Sequence, residues 1–165
     1  MNAALNRQVR LASRPGGEPT LANFRLAESP VPQPGAGEFL VRNHFLSLDP
    51  YMRGRMSDAK SYAKPVEIGE VMVGGTAGEV VASNHPKFPV GARVVGALGW
   101  QEYGVSDGTG MRRIATDAIP LSVYLGTLGM PGVTAWVGLV DIGQPKAGET
   151  VVVSAASGAV GSVVG

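Results

Sequence analysis

The sequence predicts a mainly β domain that forms a partly open barrel, followed by the first βα unit of a parallel α/β domain. The first observation behind this prediction is the abundance of glycine (24) and proline (12), spread between short apolar segments. That distribution is typical of short strands joined by tight turns. The second is a change from strand-like to helical periodicity after Ile119. The third is an apolar run at residues 151–153 that leads into a glycine-rich turn.

The composition is that of a globular protein with no polyanionic partner. Of its 165 residues, 44% are hydrophobic and 16% are charged, and 14 basic residues against 13 acidic ones give a net charge of +1. The basic residues form only short, dispersed clusters, such as Arg53 with Arg55 and Arg112 with Arg113. We interpret these clusters as solvated faces and predict no binding to nucleic acid.

The chain has no cysteine, and its two histidines, His44 and His85, are far apart in the sequence. Disulfides, iron–sulfur clusters and thiolate zinc sites are therefore excluded within this sequence, and we predict no metal site. The first residues lack the apolar core of a signal peptide, and no run approaches the ~18 apolar residues of a membrane helix. These features predict a cytoplasmic protein without a membrane partner.

Predicted strands make up the first two thirds of the chain. Residues 30–37 form a rigid loop between two of them, because proline restricts the backbone and glycine turns it. Glycines within the strands indicate the bulges and bends by which a small sheet closes into a barrel. The predicted strands are residues 8–12, 23–28, 39–47, 71–83, 93–98, 101–105 and 113–116.

Two helices are predicted after these strands. Ser122 is expected to cap a helix that runs to about Gly129. Pro131 is expected to lie at the first position of a second helix, and Gly143 to end it. Apolar residues recur at helical spacing in the second of these segments, which indicates an amphipathic helix.

The last segment begins another kind of structure. Residues 151–153 form a continuous apolar run, of the type expected for a buried parallel strand. One strand, one turn and the start of one helix cannot bury both faces of that strand. We therefore expect the chain to be cut inside a second domain. The predicted domains are residues 1–121 and, as linking helices and an incomplete nucleotide-binding domain, residues 122–165.

The glycine-rich turn carries the pattern of a dinucleotide fingerprint with alanine at its first position. Ala156 suits the tight turn, Gly158 the close approach of a pyrophosphate, and Gly161 the packing of the helix. Free amides at the helix N-terminus would hold phosphate charge. The alternative is a structural turn, since turns rich in alanine, glycine and serine are common. The residue that separates NAD from NADP lies about 20 positions further on, so the pattern does not choose between them.

Three segments together resemble a known family. They are residues 46–54 (LSLDPYMRG), residues 128–136 (LGMPGVTAW) and residues 155–165 (AASGAVGSVVG). Their order and spacing are similar to those of the zinc-independent branch of the medium-chain dehydrogenase/reductase family. The branch includes prostaglandin and leukotriene reductases, alkenal double-bond reductases and curcumin reductase. The resemblance covers the whole chain and about half of a typical member.

The resemblance implies a GroES-like barrel followed by a Rossmann domain, with the active site in the cleft between them. It implies that NADPH delivers a hydride to the β-carbon of an enone or enal, and that the α-carbon is then protonated. Tyr51 and Arg53 are expected to face the substrate cleft, and Met130 and Thr134 to lie near the nicotinamide. The residues expected at the pyrophosphate are Ala156, Gly158, Ala159, Val160 and Gly161.

Taken without the family, several of these residues have simpler interpretations. Tyr51 could be a packed barrel aromatic. Thr134 could bond a backbone carbonyl within its own helix, as threonine commonly does. Met130 could fill a gap in the core.

Two other functions are compatible with the sequence. The same scaffold could serve a quinone reductase, and a GroES-like barrel by itself could be an inert fragment without activity. Under the main hypothesis the partner is a small enone or enal, and the full-length protein is expected to form a homodimer.

Overall fold

The computed structural model describes residues 5–115 and 117–165. The chain divides into two compact units, Met1–Thr116 and Asp117–Gly165. The assignment of residues 1–121 and 122–165 to a catalytic and a nucleotide-binding domain stays a prediction. Each unit has its own secondary structure.

The first unit is built from two antiparallel sheets, so the prediction of a mainly β fold is confirmed. The smaller sheet contains two strands and the larger one five, in the order β6-β3-β4-β5-β7. The strands are β1 (Leu5–Leu11), β2 (Phe24–Pro30), β3 (Phe39–Leu46), β4 (Thr76–Ser83), β5 (Arg93–Gly96), β6 (Tyr103–Ser106) and β7 (Arg112–Arg113).

Strand β1 links the two sheets. One edge pairs with β2 along its whole length, while isolated bridges join Gln8 to Gln101 and Arg10 to Val71. Val9 donates its backbone N–H to the Trp100 carbonyl at 2.8 Å. The backbone groups on the other edge of β1 are therefore bonded to loops of the larger sheet and not to one of its strands. Because no continuous ladder joins the two sheets there, the barrel is only partly closed.

Strand β4 begins at Thr76 and not at residue 71 as predicted. Met72 donates its N–H to the carbonyl of Val9, and its own carbonyl accepts from Trp100. Residues 71 and 72 therefore bond towards β1, whereas the carbonyl of Gly75 already accepts from Ser47, the residue after β3. Further along β4, a Cβ at Gly78 would lie 2.2 Å from the carbonyl oxygen of Arg42, so glycine permits the close approach beside the β3 bulge.

Two hydrophobic clusters form the core of this unit. In the first, the rings of Phe39 and Phe88 stack with centroids 4.3 Å apart, and Phe39 is fully buried. The second contains Leu11, Met56 and Met72, with Phe24 and Trp100 packed against it. The remaining members of the first cluster are Val41, Val80 and Val94.

A short helix that the sequence did not predict, α1 (Tyr51–Arg55), lies beside the second cluster. Met52 and Met56 are both buried, and their spacing of four residues places them on one face of the turn. Five residues are too few for a helical period to stand out among strand-like segments. This explains why the helix was missed.

The second unit is helical, with α2 (Met130–Trp136) continuing as a π-helix (Val137–Gly143) and a last turn, α3 (Gly161–Val164). The helix at Pro131 and its end at Gly143 are confirmed, although Met130 precedes the proline in α2. Directly after the π-helix, Gln144 adopts the left-handed conformation, with φ of 46°. The prediction for Ser122 is wrong, because it lies inside a 3₁₀ helix, Leu121–Leu125, that follows Pro120.

The prediction of a buried strand at residues 151–153 is also wrong. The segment has no ladder partner in residues 117–165, and Val152 is 86% exposed. An apolar run becomes a strand only where a second strand satisfies its N–H and C=O groups. Residues 117–165 contain no such strand.

Candidate functional site

Tyr51 begins α1 and is partly buried. Burial raises the pKa of its phenol above the ordinary value, and the Asp49 carboxylate raises it further, as does Tyr62. The Arg55 guanidinium, 5.7 Å from the centre of the Tyr51 ring, acts in the opposite direction. The phenol is therefore protonated through the neutral range and is a hydrogen-bond donor.

Arg53, on the same helix, is bound to a different part of the unit. Its Nε and Nη2 atoms donate to the carbonyl of Gly17 at 3.1 and 2.7 Å, and Nη2 also donates to the carbonyl of Pro15 at 3.2 Å. The guanidinium thus holds the loop between β1 and β2 against α1. The structure does not bring Arg53 and Tyr51 into one cluster.

We expect Arg53→Ala to destabilise the first unit, because three hydrogen bonds from a charged group to the β1–β2 loop are lost. The expected decrease in the free energy of unfolding is about 1–3 kcal/mol, measured by chemical denaturation. Arg25→Ala is the matched control, since the exposed Arg25 side chain makes no polar contact in the described part of the chain. Equal unfolding free energies for the two variants would contradict a structural role for Arg53.

An apolar cavity of about 330 Å³ lies beside α1. Arg53 lies at this cavity, whereas Tyr51 is not among its lining residues. Most of the lining was not predicted from the sequence, because these residues come together from β2, α1 and several separate loops. The principal lining residues are Phe24, Met52, Arg53, Met56, Met72 and Trp100.

In the second unit, the Thr134 hydroxyl donates to the carbonyl of Met130 at 2.7 Å. This is the bond within its own helix that the residue type favours. Both side chains are exposed, and Met130 is 55% accessible to solvent. Met130 is therefore not a gap-filling core residue, and its predicted place near a nicotinamide stays a prediction.

The glycine-rich turn is compact. The N–H of Gly158 donates to the Ala155 carbonyl at 2.9 Å, and the N–H of Ser162 donates to the Gly158 carbonyl at 2.9 Å. A Cβ at Gly161 would lie 2.0 Å from the Ala155 oxygen, whereas one at Gly158 would lie 3.2 Å from it. Only glycine therefore fits at position 161 without a backbone shift. The closest approach in this turn is therefore between Gly161 and the Ala155 carbonyl, both residues of the turn.

A cavity of about 480 Å³ lies between the α2 region and residues 149–154. It brings together Thr134 and Val160, two of the predicted cofactor residues. The other predicted residues, Met130, Ala156, Gly158, Ala159 and Gly161, do not line it. Lining residues that were not predicted for the cofactor site include Leu139, Glu149, Val151 and Ser154.

Within residues 5–115 and 117–165 no three histidine or acidic side chains gather where they could hold a metal ion. In the same residues no helix has the length and hydropathy needed to cross a membrane.

Comparison with known proteins places these features in context. A family model described as the N-terminal domain of oxidoreductase matches residues 7–114. The NADPH-dependent curcumin reductase of Escherichia coli is 56% identical over 160 residues, which cover 97% of this chain and 46% of that protein. Prostaglandin reductase 1 of Rattus norvegicus is 47% identical over 152 residues, covering 90% of this chain and 44% of that protein.

Among solved structures, CurA from Vibrio vulnificus in complex with NADPH is similar with a TM-score of 0.90 and 59% identity. The match covers 96% of this chain and 47% of that one. The predicted resemblance to curcumin and prostaglandin reductases is confirmed. This chain spans about half the length of the curated relatives it matches.

Proposed function

Because the chain belongs to the family described as the N-terminal domain of oxidoreductase, we propose that the protein containing it is an NADPH-dependent reductase. It reduces the carbon–carbon double bond of α,β-unsaturated ketones or aldehydes by hydride transfer without a metal. The observation that carries this proposal is 56% identity, over nearly the whole chain, to a protein named NADPH-dependent curcumin reductase.

The turn at residues 155–161 supports binding of a phosphate-bearing cofactor. In the part of the chain that the structure describes, the N–H groups of Ala159, Val160 and Gly161 have no protein acceptor. Backbone amides of this kind, next to a turn without side chains, suit a pyrophosphate. The residues that we propose for this role are Ala156, Gly158, Ala159, Val160 and Gly161, with Met130 and Thr134 towards the nicotinamide.

When bound, the nicotinamide supplies the hydride. The contribution that we propose for this chain's residues is to orient the substrate and to stabilise the charge that develops on its carbonyl oxygen. A protonated phenol such as Tyr51 donates a hydrogen bond that strengthens as that charge grows. Hydrogen bonds then replace the Lewis acid of a metal enzyme, which agrees with a chain that has no cysteine.

Arg53 was predicted as a second residue of the substrate cleft. Its guanidinium is bound to the carbonyls of Pro15 and Gly17, so we propose that it shapes the cleft by holding the β1–β2 loop. Arg53→Lys tests this proposal, because an ammonium group cannot reproduce the planar fork. The expected result is a raised KM for the substrate with little change in kcat.

We expect Tyr51→Phe to lower kcat for enone reduction about tenfold, because the phenol is lost while the ring is kept. The measurement is NADPH oxidation by the full-length protein under saturating substrate. Tyr103→Phe is the control, since Tyr103 lies in β6 and outside the predicted site. An unchanged kcat in Tyr51→Phe would remove the Tyr51 hydroxyl from the reaction.

The function itself is tested with the full-length protein, NADPH and a simple enone. We expect NADPH oxidation with formation of the saturated ketone, and the same rate after treatment with a chelator. Simple quinones test the alternative hydride acceptor, and turnover with them alone would favour a quinone reductase. A requirement for zinc, or activity only with alcohols, would contradict the proposal.

Other properties of the whole protein rest on the resemblance. We propose a small-molecule enone or enal as the substrate, a homodimer as the assembly and the cytoplasm as the location. Light scattering of the full-length protein tests the assembly, where a monomer mass would contradict the homodimer.

A further inference from the structure

Arg55 lies against two tyrosine rings. Its guanidinium carbon is 4.7 Å from the ring centre of Tyr62 and 5.7 Å from that of Tyr51. Tyr51 and Arg55 are four residues apart on α1, so they share one face of the helix. In the part of the chain that the structure describes, the guanidinium makes no hydrogen bond or ion pair. The two aromatic faces are its partners.

Tyr62 belongs to a loop, residues 57–65, whose two ends are tied together. The N–H of Val66 donates to the Arg55 carbonyl at 2.8 Å. Nη1 of Arg14 donates to the carbonyls of Met56 and Val66, each at 3.1 Å. A surface loop whose ends lie close together in this way has the form of an Ω-loop. Within it, Tyr62 is 85% exposed, and Arg55 is the contact of its ring with α1.

We propose that Arg55 is a positioning residue for Tyr51, which it holds in a fixed orientation by linking it to Tyr62 and the 57–65 loop. The inference rests on the proposed function, in which the Tyr51 hydroxyl faces the substrate. A guanidinium is suited to this task because it is planar and attracts the faces of aromatic rings. Tyr51 would otherwise be free to change its side-chain rotamer, since only part of the ring is buried.

The charges around Tyr51 agree with this arrangement. The groups that act on its phenol are Asp49, Arg55 and Tyr62, and Arg55 is the one that lowers its pKa. Loss of Arg55 therefore raises the pKa of Tyr51 further and leaves the phenol protonated in the neutral range. Any loss of activity near neutral pH would then come from orientation and not from a changed protonation state.

The coupling is tested first without activity, by NMR of isotope-labelled tyrosine rings in the full-length protein. Tyr51→Phe assigns the resonance of Tyr51. We expect Tyr62→Ala to shift that resonance in the native background and to leave it unchanged when Arg55→Gln is also present. Equal shifts in both backgrounds would overturn the link through Arg55. Thermal unfolding of each variant confirms that it is folded.

The second test is kinetic and uses the same proteins with NADPH and an enone. Arg55→Gln is expected to lower kcat about 3- to 10-fold, and the double variant with Tyr62→Ala to lose little more than either single one. Arg55→Lys should give an intermediate kcat, because a cation is retained but the planar group is lost. Additive losses, or an unchanged kcat in Arg55→Gln, would overturn the positioning role.

The two experiments separate this inference from the proposed function. If the native protein reduces no enone, the function fails together with the role of Arg55 in it. The NMR result then still decides whether Arg55 links the two rings. If the native protein is active while the NMR shifts are independent of Arg55, the function stands and the inference fails.

Discussion

Gly161→Ala is expected to weaken NADPH binding by the full-length protein about 10- to 100-fold. The added Cβ would lie 2.0 Å from the carbonyl oxygen of Ala155 and 3.2 Å from the Cα of Ala156. Contacts this short force the turn to open, which moves the free amides of Ala159 and Val160. The measurement is a titration with NADPH followed by its fluorescence.

Two matched variants control for the added methyl group. Gly16→Ala, in the loop between β1 and β2, places a Cβ where no atom lies within 4 Å, so the Kd should be unchanged. Gly158→Ala places one at 3.2 Å from the Ala155 oxygen, and we expect an intermediate effect. If Gly161→Ala bound NADPH as tightly as the native protein, the turn would not be part of the cofactor site.

Phe39→Ala is expected to lower the free energy of unfolding by about 3–5 kcal/mol. The ring is fully buried and stacks on Phe88 at the centre of the first hydrophobic cluster, where Val41 and Val80 also lie. Its removal leaves a cavity that the surrounding strands cannot fill. Because the free energy of unfolding of a domain is only about 5–15 kcal/mol, a loss of this size removes a large part of its stability.

The measurement is chemical denaturation of the protein and the Phe39→Ala variant under identical conditions. Leu26→Ala is the control, because Leu26 is 84% exposed in β2. We expect that variant to change the free energy of unfolding by less than about 0.5 kcal/mol. A similar small change for Phe39→Ala would mean that the cluster around Phe39 does not limit stability.

The strands were the best-predicted part of the fold. The predicted start of the third strand at Phe39 is the observed one, and the predicted segment 93–98 contains β5. In both, β-branched and aromatic residues are bounded by glycine or proline turns, a signal carried by neighbouring residues. Strand ends were predicted less well, as at Thr76, because they depend on which other segment supplies the hydrogen bonds.

The candidate site divides in the same way. The glycine fingerprint and the motif around Tyr51 were found in the sequence, since their signals are confined to short segments. The roles of the individual residues within these motifs could not be read from the sequence. The phosphate role favours Gly158 as the position without a side chain, whereas the tightest contact falls at Gly161. That contact depends on the path of the turn.

By itself the sequence determined the mainly β fold, the absence of thiolate ligands and the position of the glycine-rich turn. These follow from composition and local pattern. The tertiary structure decided that Arg53 holds the loop at Gly17, 36 residues away. It also decided that the Arg55 guanidinium contacts the rings of both Tyr51 and Tyr62, and that Val151 and Val152 are exposed. The contact of Arg53 with Gly17 joins segments distant in the chain, and that of Arg55 with Tyr62 depends on the path of a loop, so a single sequence carries no signal of either.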